Sequence, residues 1–294
     1  MKALIRIGFG LFASTLLASA QGSPAWGLSK FPLASKVIGL VQYDADSRWG
    51  DRDFHREQLT RLAEQAIGRG ARLVLLPEGA LTGYASRREL WCRPGQSRCG
   101  GRACRDVSQI AEVIPRGPSS RYWEEFARAH GIYLVFDLAE TDVGTGEFFN
   151  TLAVFGPRGY VTKYRKRDLY WVDQCYAEPG REAVAFNTPF GRFGLMACMD
   201  GVDYPGTFYS DYRRLGVDAV LLSMDWDEDP LGPNAARTAF VDRARTERMP
   251  IYASDESAWD GTGLYLPDGS PRERDGLAPQ AVGSNGISMH SAPR

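Results

Sequence analysis

A layered α/β fold, with helices outside and hairpins mixed into the sheets, is predicted by three features of this sequence. A strand, helix, strand pattern opens the folded part, a second closes it, and two antiparallel hairpin patterns lie between them. At 294 residues and 44% hydrophobic content the chain can bury one large core, and no internal repeat or linker divides it.

The first strand is read at 37–43. A helix over about 53–67 follows, with Leu59, Leu62, Ala63, Ala66 and Ile67 at helical spacing, and Gly68-Arg69-Gly70 stops it. Arg72 to Leu76 is a short apolar strand of the kind buried on both faces, ended by Pro77-Glu78-Gly79. Residues 85–118 read as an irregular insertion rich in Arg, Gly and Cys, and Pro94, Pro115 and Pro118 keep long regular elements out of it. Ser119-Ser120 is a good N-cap pair for a helix over 121–130, and the next strand is 132–136. Hairpins are expected at 151–155 with 160–164 and at 183–187 with 193–197. A strand at 217–223, a helix over about 234–249, a strand at 251–254 and a short strand at 263–266 complete the core, and 268–294 reads as an extended polar tail.

Lys and Arg number 35 against 36 Asp and Glu, with no basic block, so the electrostatic footprint of a nucleic-acid or anionic-membrane binder is missing. A small, roughly neutral partner fits better. Lys2 and Arg6 precede an apolar run that ends in Ala18-Ser19-Ala20, the pattern of a cleavable signal peptide over 1–20. The run is too short and too broken by Gly8 and Gly10 to span about 30 Å of hydrocarbon. The mature chain is therefore expected outside the cytoplasm, secreted or periplasmic.

In that oxidising compartment five cysteines leave one thiol unpaired. Cys92, Cys99 and Cys104 crowd one loop-like segment and Cys175 sits in another, so these four are the disulfide candidates, with three possible connectivities. Cys198 ends the apolar strand Phe193 to Ala197 and is the odd one out. Glu78 and Lys166 likewise lie just past strand ends, the edge where reactive groups gather in α/β sheets.

Here the sequence resembles the nitrilase superfamily of carbon-nitrogen hydrolases, whose members share a Glu, Lys, Cys triad in that chain order. Leu76-Pro77-Glu78 matches the glutamate motif, Tyr164-Arg165-Lys166 the lysine motif, and Ala197-Cys198-Met199-Asp200 the cysteine motif. The stretch from Phe186 to Gly194 and Ile251 to Ser254 look most like the secreted branch of vanin pantetheinases and biotinidase. The resemblance implies a four-layer α-β-β-α sandwich over 36–267, a homodimer, and hydrolysis of a small linear amide.

A free thiol titrates near pH ~8.5, so the nucleophile needs help to ionise. Glu78 is the expected general base and then acid, while Lys166 and the backbone N-H of Met199 are the expected stabilisers of the oxyanion. Many members of that family carry a further glutamate a few residues after the lysine motif. Asp173 is the nearest acidic residue to that position and is taken as a substrate-side or supporting candidate, and Asp168 stands where many members have His. Tyr84 and Trp226 are candidate pocket walls. His55, His130 and His290 have no metal-ligand spacing and no phosphate loop is present, so neither metal nor cofactor is expected. A nitrilase or acyltransferase on the same triad, and a secreted binding protein of the same fold, are the competing readings.

Overall fold

The computed structural model describes residues 37–45, 48–84, 89–202, 207–226, 235–256, 261–272 and 285–293. The expected signal peptide lies outside them. Among the described residues no helix is long and apolar enough to cross a membrane.

Strand β1 (Val37–Gln42), helix α1 (Arg52–Gly68) and strand β2 (Ala71–Leu75) form the expected crossover, and β1 and β2 pair in parallel. The Asp51 side chain accepts the Phe54 N-H at 3.1 Å and caps α1. The insertion is less irregular than its composition implies, because β3 (Leu90–Cys92), β4 (Arg98–Cys99) and β5 (Arg102–Asp106) make a small separate sheet. Cys92 is bonded to Cys104 and Cys99 to Cys175, so cross-links hold strands too short to persist alone.

Helix α2 (Pro118–His130) starts earlier than expected. Ser119 and Ser120 lie in its first turn rather than capping it. Pro118 takes the position where a missing N-H costs nothing, and the Glu112 carboxylate, reaching in from the insertion, accepts the Ser119 N-H at 2.9 Å. Then come β6 (Tyr133–Thr141), β7 (Phe148–Gly156) and β8 (Gly159–Arg165), an antiparallel run. The second half holds β9 (Ala185–Thr188), β10 (Gly191–Ala197), a single turn α3 (Met199–Val202), α4 (Thr207–Arg214), β11 (Ala219–Ser223), α5 (Ala235–Glu247), β12 (Ile251–Ser254), β13 (Gly263–Tyr265), β14 (Pro271–Arg272) and β15 (Gly286–Ser291).

Two six-stranded sheets result, ordered β15-β1-β2-β6-β7-β8 and β14-β13-β12-β11-β10-β9. Alternation along each strand sorts side chains between faces. Leu73, Leu75, Val135, Leu152, Val154, Leu195 and Leu221 meet between the sheets. Val74, Leu134 and Phe136 turn outward to Leu59, Trp123 and Phe126 of α1 and α2, while Met196, Val220 and Leu222 face Tyr209, Tyr212, Phe240 and Ala244 of α4 and α5. These four layers are the expected α-β-β-α sandwich. The tail reading needs correction at its end. Residues 286–291 pair antiparallel with β1, because Ile287 and Met289 alternate with Ser288 and His290 and bury an apolar edge.

Candidate active site

The two-residue pleat brings polar groups to one place at the edge of the inner face. Val135 and Asp137 on β6, Leu152 and Asn150 on β7, and Tyr164 and Lys166 at the end of β8 are pairs two apart. The apolar member of each pair lies in the core between the sheets. The polar member is buried beside Glu78, which follows β2.

Lys166 Nζ lies 2.8 Å from Glu78 Oε1 and 2.6 Å from Asp173 Oδ2, and donates to the Tyr84 hydroxyl at 3.1 Å. Asn150 Nδ2 donates to Glu78 Oε1 at 2.7 Å and to Asp173 Oδ1 at 2.9 Å, which locks the two carboxylates around the ammonium. Among the described residues, the second oxygen of Glu78 receives only the Asp225 N-H, at 3.3 Å.

Cys198 is buried, is the free cysteine among the described residues, and lies near enough to Glu78, Lys166 and Asp173 for their charges to act on its thiol. Its φ of +40° is left-handed, rare for a side-chain-bearing residue, and it breaks the path of β10 into α3. The turn is held because the Cys198 N-H donates to Ser223 O at 2.9 Å and the Gly201 N-H returns to Cys198 O at 2.9 Å. The Ser223 hydroxyl donates in turn to Leu76 O at 2.9 Å, tying the Cys198 turn to the strand end that presents Glu78. Met199 opens α3, where a helix offers its own N-H no internal acceptor.

Burial pushes the Glu78 carboxyl up to about 7, against the pull of Lys166 and with the like charge of Asp173 adding to the rise. Burial alone would lower the Lys166 ammonium. The carboxylates of Asp173 and Glu78 reverse that and hold it charged well above its ordinary range. Burial, then the Glu78 charge, pushes the Cys198 thiol well up, with Lys166 opposing. A resting thiolate is therefore disfavoured, and the proton leaves sulfur only as a base takes it.

Glu78, Lys166, Cys198, Asp173 and Tyr84 are thus brought together. Trp226 is placed differently, since its ring packs edge-on against Phe240 at 6.0 Å on the helix-facing side. Three buried groups were not singled out from sequence. Asn150 bridges the carboxylates. Asp137 accepts the Gly79 N-H at 2.8 Å, and burial with the nearby Glu78 charge holds its carboxyl well above the usual range. Asp200 accepts from Tyr164 Oη at 2.6 Å, the Ala197 N-H at 2.9 Å and the Asp168 N-H at 2.7 Å. Asp137 and Asn150 betray themselves only as polar residues at inward positions of apolar strands. Among the described residues no cluster of His, Cys, Asp and Glu could hold a metal ion.

Comparison with known proteins bears on the family and the fold. The carbon-nitrogen hydrolase profile matches residues 37–263. A nitrilase of Pyrococcus abyssi is 31% identical over 165 residues, covering 55% of this chain and 55% of that protein. The omega-amidase NIT2 of Danio rerio is 29% identical over 183 residues, covering 59% and 56%. The human pantetheine hydrolase VNN2 is 30% identical over 181 residues, covering 55% and 33%. The match thus spans about half the length, or less, of these relatives. In fold, a solved amidase of the nitrilase superfamily from Nesterenkonia AN1 superposes with a TM-score of 0.68 at 19% identity, covering 89% of this chain and 92% of that one.

Proposed function

The chain belongs to the carbon-nitrogen hydrolase family, and on that premise we propose that it is an exported amidase that cleaves a small linear amide through a thioester on Cys198. The observation that carries this reading is the pairing of Lys166 with Glu78 at 2.8 Å beside a buried, unpaired cysteine on a strained turn.

Glu78 Oε1 is already filled by Lys166 and Asn150, so Oε2 is the oxygen open to the thiol proton. As that proton moves to Glu78, Cys198 Sγ bonds to the amide carbon and the carbonyl oxygen gains negative charge. The Lys166 charge and the Met199 N-H oppose that charge in a buried site, where such interactions are strong. Glu78 then gives its proton to the leaving amine, the C-N bond breaks and a thioester remains. Water attacks the thioester while Glu78 takes its proton. The acid leaves and the proton returns to sulfur. A carboxyl poised at about 7 can act in both directions near neutral pH.

Export is supported by the apolar N-terminal run ending in Ala18-Ser19-Ala20 and by two disulfides, which persist in oxidising compartments. The test is product analysis on a panel of small amides and nitriles. Release of ammonia or amine from an amide, abolished in Cys198→Ala with an unchanged far-UV spectrum, is expected. Turnover surviving in Cys198→Ala would refute the thioester route.

A further inference from the structure

An ammonium has three N-H donors, and each makes one directed hydrogen bond. Lys166 directs them to Glu78 Oε1 at 2.8 Å, Asp173 Oδ2 at 2.6 Å and the Tyr84 hydroxyl at 3.1 Å. None is left for a substrate oxygen. To reach one directly, the ammonium would have to release a buried carboxylate, which is costly, or give up the longer bond that holds the Tyr84 hydroxyl.

Tyr84 offers another route. Its oxygen accepts from Lys166, so its own O-H hydrogen points elsewhere, and among the described residues it meets no acceptor. A buried phenol without an acceptor is an open donor. Burial, then the nearby charges of Asp173 and Glu78, push the Tyr84 phenol well up, and a thiolate at Cys198 would add to that, so it keeps its proton. Its position is set on two sides. The ring packs with Leu90, Cys92, Val172 and Cys175, and the Glu78 turn closes against it so tightly that a Cβ added at Gly79 would stand 2.4 Å from Tyr84 Cβ.

We propose that the Tyr84 hydroxyl, polarised by Lys166, is the hydrogen-bond donor that meets the carbonyl oxygen as Cys198 adds to it. Tyr84 is then a catalytic residue, and Lys166 acts on the oxyanion through it as well as through space. This rests on the thioester reading above, in which Cys198 is the nucleophile.

Two reactions of one thiol separate this role from packing. With iodoacetamide, sulfur forms a bond to carbon as iodide leaves and the thiol proton passes to Glu78, and no carbonyl oxygen becomes charged. With propionaldehyde, sulfur adds to the carbonyl carbon and charge develops on oxygen, which ends as the hydroxyl of a hemithioacetal. Alkylation of Cys198 is read by mass spectrometry in the wild type and in Tyr84→Phe, with and without propionaldehyde as a reversible protectant. The expected result is an unprotected alkylation rate within about threefold of wild type, and an aldehyde dissociation constant weakened by about 100-fold, the scale of losing one oxyanion donor. An unchanged aldehyde constant, an equal loss in both reactions, or no protection in the wild type overturns the proposal. Because the assay needs no amide turnover, failure of the amidase reading shows separately, as absence of product from amides.

Discussion

The carboxylate of Asp200 receives the backbone N-H of Asp168 at 2.7 Å, so the turn that follows Lys166 is pinned to the turn that carries Cys198. The same carboxylate takes the Tyr164 hydroxyl and the Ala197 N-H, and thus joins β8 of one sheet to β10 of the other. Asp200→Ala should leave several buried donors without acceptors. A loss of about 3–5 kcal/mol is expected in urea denaturation, since each orphaned buried group costs roughly 1–3 kcal/mol and neighbours relax in part. Asp200→Asn, which keeps one acceptor oxygen, should lose less.

The pH dependence follows from Glu78. Its carboxyl is raised to about 7, and on the thioester route proposed above it must be ionised to accept the thiol proton, so kcat/KM should fall as pH drops below about 7. Asp173 contributes to that rise as a like charge. Asp173→Asn should therefore move the acid limb to lower pH while lowering kcat, because Lys166 loses its nearest carboxylate. A limb that moves upward, read from initial rates across pH 4–9, would contradict the assignment.

The two disulfides should differ in worth. Cys99 and Cys175 are 76 residues apart and Cys92 and Cys104 are 12 apart. Loop-closure entropy makes the longer link more stabilising by about 1.6 kcal/mol. Cys175 also ends the 3-10 turn that begins with Asp173. Replacing Cys99 and Cys175 together by Ser should lower both denaturation midpoint and kcat, whereas replacing Cys92 and Cys104 should act more on stability than on rate.

Gly79→Ala tests the turn beside the base. Gly79 has φ +63°, and an added Cβ would meet Tyr84 backbone as well as side-chain atoms within 2.8 Å. A glycine there avoids both a left-handed penalty and a clash. The variant should lose most of its amidase rate, and calorimetry should show a lower melting point.

Much of this arrangement was legible in the sequence because it is local. Period two in 151–155 and 160–164 marks a hairpin, and Glu78, Lys166 and Cys198 each follow a recognisable strand. What escaped is what depends on distant segments. Glu112 lies outside α2, so its hold on Ser119 is invisible to a local cap rule. The strand Gly286–Ser291 follows a long polar stretch, and only pairing with β1 across the whole chain gives its alternation meaning. Asn150 and Asp137 look like ordinary strand polar residues until two sheets close over them.

The left-handed backbone at Cys198 has a consequence for how this position can vary. A residue with a Cβ is held there against its preference by about 1–2 kcal/mol, and glycine alone would be at ease. Backbone strain by itself thus favours the one residue that has no side chain at all, against the loss of a buried sulfur and the added freedom of glycine in the unfolded chain. On the thioester route the sulfur's chemistry is what this strained turn carries, and Cys198→Gly should relieve the backbone while ending turnover.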